Sequence, residues 1–332
     1  MDWLITLRIL LPVCYFILIL AIVRNIAILT ITECPPTIVV TKPVFFGATK
    51  QLYNSAVGTQ SKNKLISQSS TKFQKLPHCI IIGVRKGGTR ALLDAIALHP
   101  QIKIVRHEVH FFDNTETYGK GLEWYRSQMP FITPSQIAVE KTPAYFSSEL
   151  TPQRVYSMNP NLKFILIIRD PVQRTISDYT QVMCTRLEQN KSQIVFEKVS
   201  FLSDGVTINI DYKPIRNSLY SMHMKRWLKY FPLKNFLIVD GDKFAKRPLP
   251  ELRRVEHFLG LPQTITSDQL VYDDNKHFYC FRRKRSSKPK CLGNSKGRPH
   301  ANISEAIKNL LRQNFVFYNE EFFRLVNRRW YW

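Results

Sequence analysis

The feature that most constrains the fold of this chain is an apolar run followed directly by a glycine-rich turn and an apolar-periodic segment. Residues 79–83 have the length and apolarity of a buried strand, and apolar residues recur at helical spacing from Thr89 onward. Between them lie Gly87 and Gly88, which allow close backbone approach to a ligand. A strand that enters a helix through such a loop presents N–H groups and the positive helix end to an anion. The sequence therefore predicts a strand–loop–helix phosphate site.

The charges in this turn distinguish it from a nucleotide triphosphatase loop. Arg85, Lys86 and Arg90 supply cations, but Lys86 precedes the paired glycines and Thr89 follows them. A triphosphatase loop reads G-x-x-x-x-G-K-[ST], with the hydroxyl placed to hold Mg²⁺. We interpret the turn as a phosphate cradle whose ligand is not metal-bound ATP; an ordinary strand-to-helix turn is the alternative.

Composition indicates an anionic partner. The chain has 332 residues, 44% of them hydrophobic, and a formal net charge of +23. An excess of this size favours nucleic acid, an acidic membrane surface or a polyanionic glycan as the partner, and composition does not choose among them.

The first 31 residues predict a membrane anchor. Residues 3–31 are nearly all apolar, with Arg8, Arg24 and Asn25 as the strongly polar interruptions. The apolar stretch reaches the length that a bilayer core requires, about 20 residues, if a terminal arginine extends to the interface. A cleaved signal peptide is the competing interpretation, but no small-residue cleavage site follows. We expect an uncleaved transmembrane signal-anchor at 1–31.

Two further segments follow the anchor. Residues 32–75 are rich in Ser, Thr, Lys, Gln and Pro, which predicts a stem or linker. Residues 76–332 alternate strand and helix patterns, which predicts one α/β domain with a central parallel sheet flanked by helices. The predicted strands are 79–83, 102–105, 136–140, 164–168 and 236–239. The predicted helices are 89–98, 121–129, 171–187, 218–230, 250–259 and 304–318.

Polar residues with catalytic character follow the second predicted strand. Glu108, His110 and Asp113 alternate with apolar residues. On an extended segment Glu108 and His110 project to the same side, as a general base and its neighbour do. A polar loop with a satisfied histidine is the alternative, and the neighbouring phosphate loop favours the catalytic interpretation.

A second anion site is predicted after the fourth strand. The apolar run ends in Arg169, Pro171 stands at a helix start, and Ser177 lies two turns further. Arg169 and Ser177 suit a second phosphate, while Asp170 suits a helix N-cap, and both interpretations are compatible. Two anion sites on neighbouring strand ends indicate a nucleotide with phosphates at both ends.

These motifs resemble those of heparan sulfate glucosamine 3-O-sulfotransferases, most closely the isoform 5 type. The resemblance rests on G-V-R-K-G-G-T-R at 83–90, E-V-H-F-F-D at 108–113, V-E-K-T-P-A-Y at 139–145, R-D-P at 169–171 with Ser177, and S-K-G-R at 295–298. It implies a sulfotransferase domain that moves a sulfuryl group from PAPS (3′-phosphoadenosine 5′-phosphosulfate) to a glucosamine 3-hydroxyl, with no metal required.

The resemblance also implies residue roles. Glu108 is the general base, supported by His110 and Asp113, and Lys86 stabilises the leaving phosphate. Lys141, Gln181 and Arg298 contact the glycan. The nucleotide-binding residues are Arg85, Lys86, Gly87, Gly88, Thr89, Arg90, Arg169, Ser177, Tyr220, Lys296, Gly297 and Arg298.

The cysteines and the glycosylation sequons predict the cellular compartment of the protein. A Cys280–Cys291 disulfide would hold a basic loop in an oxidising compartment, and Asn190 and Asn302 begin glycosylation sequons. We expect a single-pass type II protein of the Golgi membrane with a lumenal domain that binds heparan sulfate and no nucleic acid. Another PAPS-dependent glycan sulfotransferase and a catalytically inactive heparan-binding protein are the alternatives.

Overall fold

The computed structural model describes residues 71–293, 297 and 299–332. Five parallel strands form its central sheet, and two short antiparallel pairs lie outside that sheet. The strands are β1 (Phe73–Gln74), β2 (Cys79–Gly83), β3 (Ile102–Ile104), β4 (Phe131–Ile132), β5 (Ile137–Lys141), β6 (Lys163–Ile168), β7 (Phe236–Asp240), β8 (Leu270–Asp273) and β9 (Phe278–Phe281). The strand order in the central sheet is β3–β5–β2–β6–β7, while β1 pairs with β4 and β8 with β9.

Helices connect the parallel strands and cover both faces of the sheet. The helices are α1 (Thr89–Ile96), α2 (Thr115–Tyr118), α3 (Gly121–Ser127), α4 (Thr151–Met158), α5 (Pro171–Glu188), α6 (Phe196–Ser200), α7 (Lys213–Arg216), α8 (Tyr220–Leu228), α9 (Gly241–Lys246), α10 (Pro248–Leu259) and α11 (Glu305–Val326). The sequence pattern thus correctly predicts a parallel α/β sheet flanked by helices.

The central strands are apolar along their whole length because both faces of the sheet are covered. Ile80 and Ile82 of β2 enter one core cluster with Trp227 of α8. Cys79 and Ile81 point to the other face, where α1 and α10 pack. Residues of β2 therefore alternate between two separate cores.

The sequence pattern identifies the sheet strands better than the elements around them. Each predicted sheet strand appears within about one residue of its expected ends. The β1–β4 and β8–β9 pairs and the helices α2, α4, α6, α7 and α9 were not predicted, since short elements carry little periodicity. Residues 73–74, placed in the linker by composition, pair with β4 and so belong to the folded domain.

The predicted anchor at 1–31 and most of the predicted stem lie outside the described residues. No helix within residues 71–332, over the part that the structure describes, is both long and apolar enough to cross a membrane.

Two glycines allow the chain to pass closely over the end of β6. A Cβ atom on Gly87 would lie 2.6 Å from the carbonyl oxygen of Ile167. A Cβ atom on Gly241, the first residue of α9, would lie 2.5 Å from the carbonyl oxygen of Ile168 and 2.8 Å from that of Gly87. Backbone therefore packs directly on backbone where β2, β6 and β7 end, and no side chain fits between them.

We expect Gly241→Ala to destabilise the domain, because the added methyl group meets backbone oxygens that cannot rotate away. The free energy of unfolding should fall by about 1–3 kcal/mol, the usual range for overpacking. Chemical denaturation measures this change. Gly293→Ala is the matched control, since a Cβ atom there meets nothing within 4 Å; equal stability of the two variants would contradict the close packing.

Candidate nucleotide and catalytic site

A cavity of about 450 Å³ lies at the carboxyl ends of the parallel strands. Its lining includes eight of the residues that the sequence assigned to nucleotide binding: Lys86, Gly87, Gly88, Thr89, Arg90, Arg169, Ser177 and Gly297. The two predicted anion motifs therefore face one cavity. This placement is typical of open α/β sheets, whose ligands bind beyond the carboxyl ends of the strands.

Part of the cavity wall carries no motif that the sequence singles out. These residues belong to α1, to α9, to the start of α10 and to the segment before α11: Ala91, Gly241, Asp242, Phe244, Ala245, Pro248 and His300. The β8–β9 hairpin and the segment after it supply Lys276, His277, Phe278, Tyr279, Phe281 and Leu292, and the basic composition of 276–298 predicts a cleft wall there. A strand-to-helix turn at Gly241 follows the same pattern as the two motifs that were recognised, and that similarity was the available signal.

The turn after β6 holds Arg169 at the cavity. Asp170 caps α5, accepting hydrogen bonds from the backbone N–H groups of Val172 (2.8 Å) and Gln173 (3.5 Å). The guanidinium of Arg169 lies 3.4 Å from Asp242, which orients it. Tyr220, expected to contact the nucleotide, is buried, and its hydroxyl donates to the Arg169 carbonyl at 2.8 Å. Tyr220 therefore supports the turn from inside the core.

A buried ion pair joins the first anion loop to α5. The Arg174 guanidinium is fully buried, lies 2.9 Å from Asp178, and donates to the carbonyl oxygen of Arg85 at 3.2 Å. Asp178 also pairs with Arg85 at 2.8 Å. Burial acts to raise the pKa of Asp178, but Arg174 and Arg85 outweigh it and hold the pKa below its ordinary value. Arg85, expected at the nucleotide, is thus directed toward α5.

Arg90 connects the cavity to the segment that carries the candidate base. Its guanidinium pairs with Asp94 at 2.9 Å and donates to the carbonyl oxygen of Arg106 at 2.9 Å. Arg106 begins the segment with Glu108, His110 and Asp113. The phosphate loop and the candidate base segment are therefore adjacent in the folded chain.

The structure brings the predicted catalytic group together. The Lys141 ammonium, nearly buried at the end of β5, forms an ion pair with Glu108. His110 lies 3.5 Å from Glu108 and 2.8 Å from Asp113. Sequence reasoning placed Lys141 on the glycan, and the structure adds this contact with the candidate base.

The pKa values in this cluster favour a charged resting state. Partial burial acts to raise the pKa of Glu108, but hydrogen bonds from His110 and Lys141 outweigh it and lower the pKa to about 2. The hydrogen bond to Asp113, and then that to Glu108, raise the pKa of His110 to about 10. At neutral pH the cluster therefore holds an ionised carboxylate between two cations.

The disulfide hairpin forms another side of the cavity. Cys280 and Cys291 are joined as expected, and they close the exposed basic loop after β9. Lys296 and Arg298 lie outside the described residues. The sequon residues Asn190 and Asn302 are both exposed. Gln181, expected at the glycan, lies on α5 and donates to Thr185 at 3.4 Å.

The residues present fit a nucleotide that is anionic at both ends. Gly87, Gly88 and Thr89 line the cavity where the loop enters α1, and the N-terminal end of a helix favours an anion. Arg169, directly after β6, supplies a cation, and Ser177 on α5 supplies a hydroxyl. Phe278 and Phe281 provide an apolar wall for a base.

Comparisons with known proteins identify the family of this chain. A family model described as a sulfotransferase domain matches residues 76–316. Human heparan sulfate glucosamine 3-O-sulfotransferase 5 is 47% identical over 259 residues, which span 78% of this chain and 75% of the human protein. Mouse heparan sulfate glucosamine 3-O-sulfotransferase 3B1 is 40% identical over 261 residues, spanning 78% of this chain and 65% of the mouse protein.

A solved structure also shares the fold. The sulfotransferase from Alicyclobacillus acidocaldarius has a TM-score of 0.55 at 18% identity, covering 77% of this chain and 98% of the bacterial one. At this identity the likeness concerns the fold alone.

We expect the imidazole of His110 to titrate near pH 10 rather than at its ordinary 6.5, because Asp113 and Glu108 stabilise its charged form. The raised pKa contributes stability that is fully present below about 6.5 and is lost as pH rises toward 10. A histidine NMR titration measures this, with Asp113→Asn expected to lower the pKa. Asp274→Asn, a change at an exposed acid elsewhere, should leave it unaltered; a wild-type midpoint near 6.5 would refute the cluster.

Proposed function

Since this chain belongs to the family of heparan sulfate glucosamine 3-O-sulfotransferases, we propose that it transfers a sulfuryl group from PAPS to the 3-hydroxyl of glucosamine residues in heparan sulfate. The observation that carries the proposal is one cavity with two cationic strand ends, bordered by a segment that presents an ionised carboxylate. The net charge of +23 suits a polyanionic acceptor.

Different residues of the chain bind the two ends of the nucleotide. The loop at Lys86–Thr89 holds the 5′ end of the nucleotide, and Arg169 with Ser177 holds its 3′ phosphate. When bound, PAPS supplies the sulfuryl group, whose bond to the 5′-phosphate oxygen breaks as the bond to the acceptor oxygen forms. Cationic groups at the loop stabilise the charge that develops on that leaving oxygen. These steps use no metal ion.

Glu108 takes the proton of the attacking hydroxyl in this proposal. In the resting protein its basicity is low, because Lys141 and His110 both bind the carboxylate. A sulfate or carboxylate of the glycan that pairs with Lys141 would weaken the Lys141–Glu108 ion pair and raise the basicity of Glu108. Acceptor binding and activation of the base are thereby coupled.

The decisive experiment incubates the full-length chain with radiolabelled PAPS and defined heparan sulfate oligosaccharides and locates new sulfate by mass spectrometry. Label at the glucosamine 3-hydroxyl supports the proposal. Label at another hydroxyl would indicate a different glycan sulfotransferase. Tight heparan binding without label would indicate a binding protein instead.

Two variants separate the base from the nucleotide site. Glu108→Gln should lower kcat by about 10²–10⁴-fold, the usual contribution of a general base, with unchanged affinity for the 3′,5′-bisphosphate product. Arg169→Ala should instead weaken that affinity, measured by calorimetry. Full activity of Glu108→Gln would contradict the assignment of Glu108 as the base. Unchanged affinity of Arg169→Ala for the 3′,5′-bisphosphate would contradict the assignment of Arg169 to the 3′ phosphate.

We also propose that the domain works in the Golgi lumen, held by the anchor expected at 1–31. The Cys280–Cys291 disulfide supports an oxidising compartment, and the exposure of Asn190 and Asn302 leaves both sequons open to glycosylation. A mobility shift of the cellular protein on glycosidase treatment tests lumenal entry; a protein in reduced, unglycosylated form would contradict it.

A further inference from the structure

A second carboxyl group is connected to the segment that carries the candidate base and has no part in the chemistry described above. Glu140, on β5 beside Lys141, is fully buried. Within the described part of the chain no cation lies within 4.0 Å of its carboxylate. Burial raises its pKa to about 7, since hydrogen bonds from Thr142 and Tyr125, the charge of Lys141 and the backbone N–H of Val109 only partly offset the loss of water. A buried acid without an ion-pair partner is costly, so its hydrogen bonds need an explanation.

Those hydrogen bonds lead to the backbone of the base segment. The Val109 N–H donates to the Thr142 hydroxyl at 3.1 Å. Because the Thr142 oxygen accepts this bond, its own proton points to Glu140, to which it donates. The Tyr125 hydroxyl donates to the other carboxylate oxygen at 3.3 Å. Glu140 therefore orients the hydroxyl that holds the residue after Glu108.

A second amide of the same segment is held in the same way. The Phe111 N–H donates to the Tyr145 hydroxyl at 2.9 Å, and Tyr145 is fully buried beside this group. Val109 and Phe111 flank His110, whose φ of 51° lies in the left-handed region. That conformation costs a non-glycine residue about 1 kcal/mol or more. The hydrogen bonds from the N–H groups of Val109 and Phe111, one on either side of His110, oppose relaxation of this turn.

We propose that Glu140 is a positioning residue for the catalytic base: its carboxyl fixes the Thr142 hydroxyl, which with Tyr145 holds the backbone that carries Glu108 and His110. The proposal rests on the assigned role of Glu108. It gives the V-E-K-T-P-A-Y motif two separate tasks. Lys141 binds the side chain of the base, while Glu140, Thr142 and Tyr145 fix its backbone.

Aromatic packing is the competing explanation for the position of this segment. The Phe111 ring stacks on Tyr125 with centroids 4.6 Å apart, and Phe112 meets Tyr145 edge to face at 5.5 Å. These contacts anchor the side chains of residues 111 and 112. They do not fix the peptide groups around His110, whose orientation decides where the carboxylate of Glu108 points.

The test uses two variants of the full-length chain that isolate one hydroxyl. Thr142→Val removes the hydroxyl that bridges Glu140 and the Val109 N–H at nearly constant volume, and Thr142→Ser retains it. We expect Thr142→Val to lower kcat by about 10–100-fold, as for supporting residues around a site, with KM for heparan sulfate within about threefold. Thr142→Ser should stay near wild type.

Changes at Glu140 itself provide the second comparison. Glu140→Leu should reproduce Thr142→Val, while Glu140→Gln, which keeps an acceptor oxygen, should lose less activity. Glu256→Leu is the matched control, since Glu256 is also buried and accepts the N–H groups of Thr264 (2.8 Å) and Ile265 (2.9 Å) far along the chain. It should lower stability without changing kcat at temperatures where the protein stays folded.

Hydrogen exchange provides a readout that does not depend on activity. Amides in peptides covering residues 107–112 should exchange faster in Thr142→Val than in wild type or Thr142→Ser. Wild-type kcat in Thr142→Val, or unchanged exchange there, would overturn the positioning role. Absence of sulfuryl transfer by the wild-type chain would instead overturn the proposed function. In that case the hydrogen-exchange comparison alone would decide whether Glu140 and Thr142 hold the segment in place.

Discussion

The site depends on direct contact between backbone segments where three parallel strands end. The loop after β2 passes over the end of β6, and the turn after β7 passes over both. Gly87 and Gly241 permit this approach, because any side chain at either position would meet carbonyl oxygens at about 2.5–2.6 Å. The loops are therefore fixed relative to one another, and the loop after β2 lines the same cavity as Arg169 after β6.

Cations in this molecule are positioned by acids before any ligand arrives. Arg169 is oriented by Asp242, and Lys141 is bound to Glu108. Arg85 is held by Asp178, which the fully buried Arg174 also binds. A protein with a net charge of +23 would otherwise repel its own cationic loops. These acidic partners reduce that repulsion. An anionic ligand must therefore compete with the acids for the cations that they bind.

The base segment shows how apolar packing and polar contacts complement each other. Phe111 and Phe112 are fully buried and fix the depth of the segment in the core. Hydrogen bonds from Val109 and Phe111 to buried hydroxyls set the orientation of the peptide groups between them. Packing tolerates small rotations, whereas a hydrogen bond to a buried hydroxyl does not, so the polar contacts supply the directional constraint.

The sequence by itself determined the class of fold, both anion motifs and the candidate base. Long apolar runs such as 164–168 have one stable environment, a strand covered on both faces, and the residues that follow them must meet at one edge of the sheet. The tertiary structure alone decided what each cation touches. It directs Arg85 to Asp178, places Tyr220 beneath Arg169, and brings the turn at Gly241 to the cavity. These contacts join residues far apart in the chain through side-chain direction, which local periodicity does not encode.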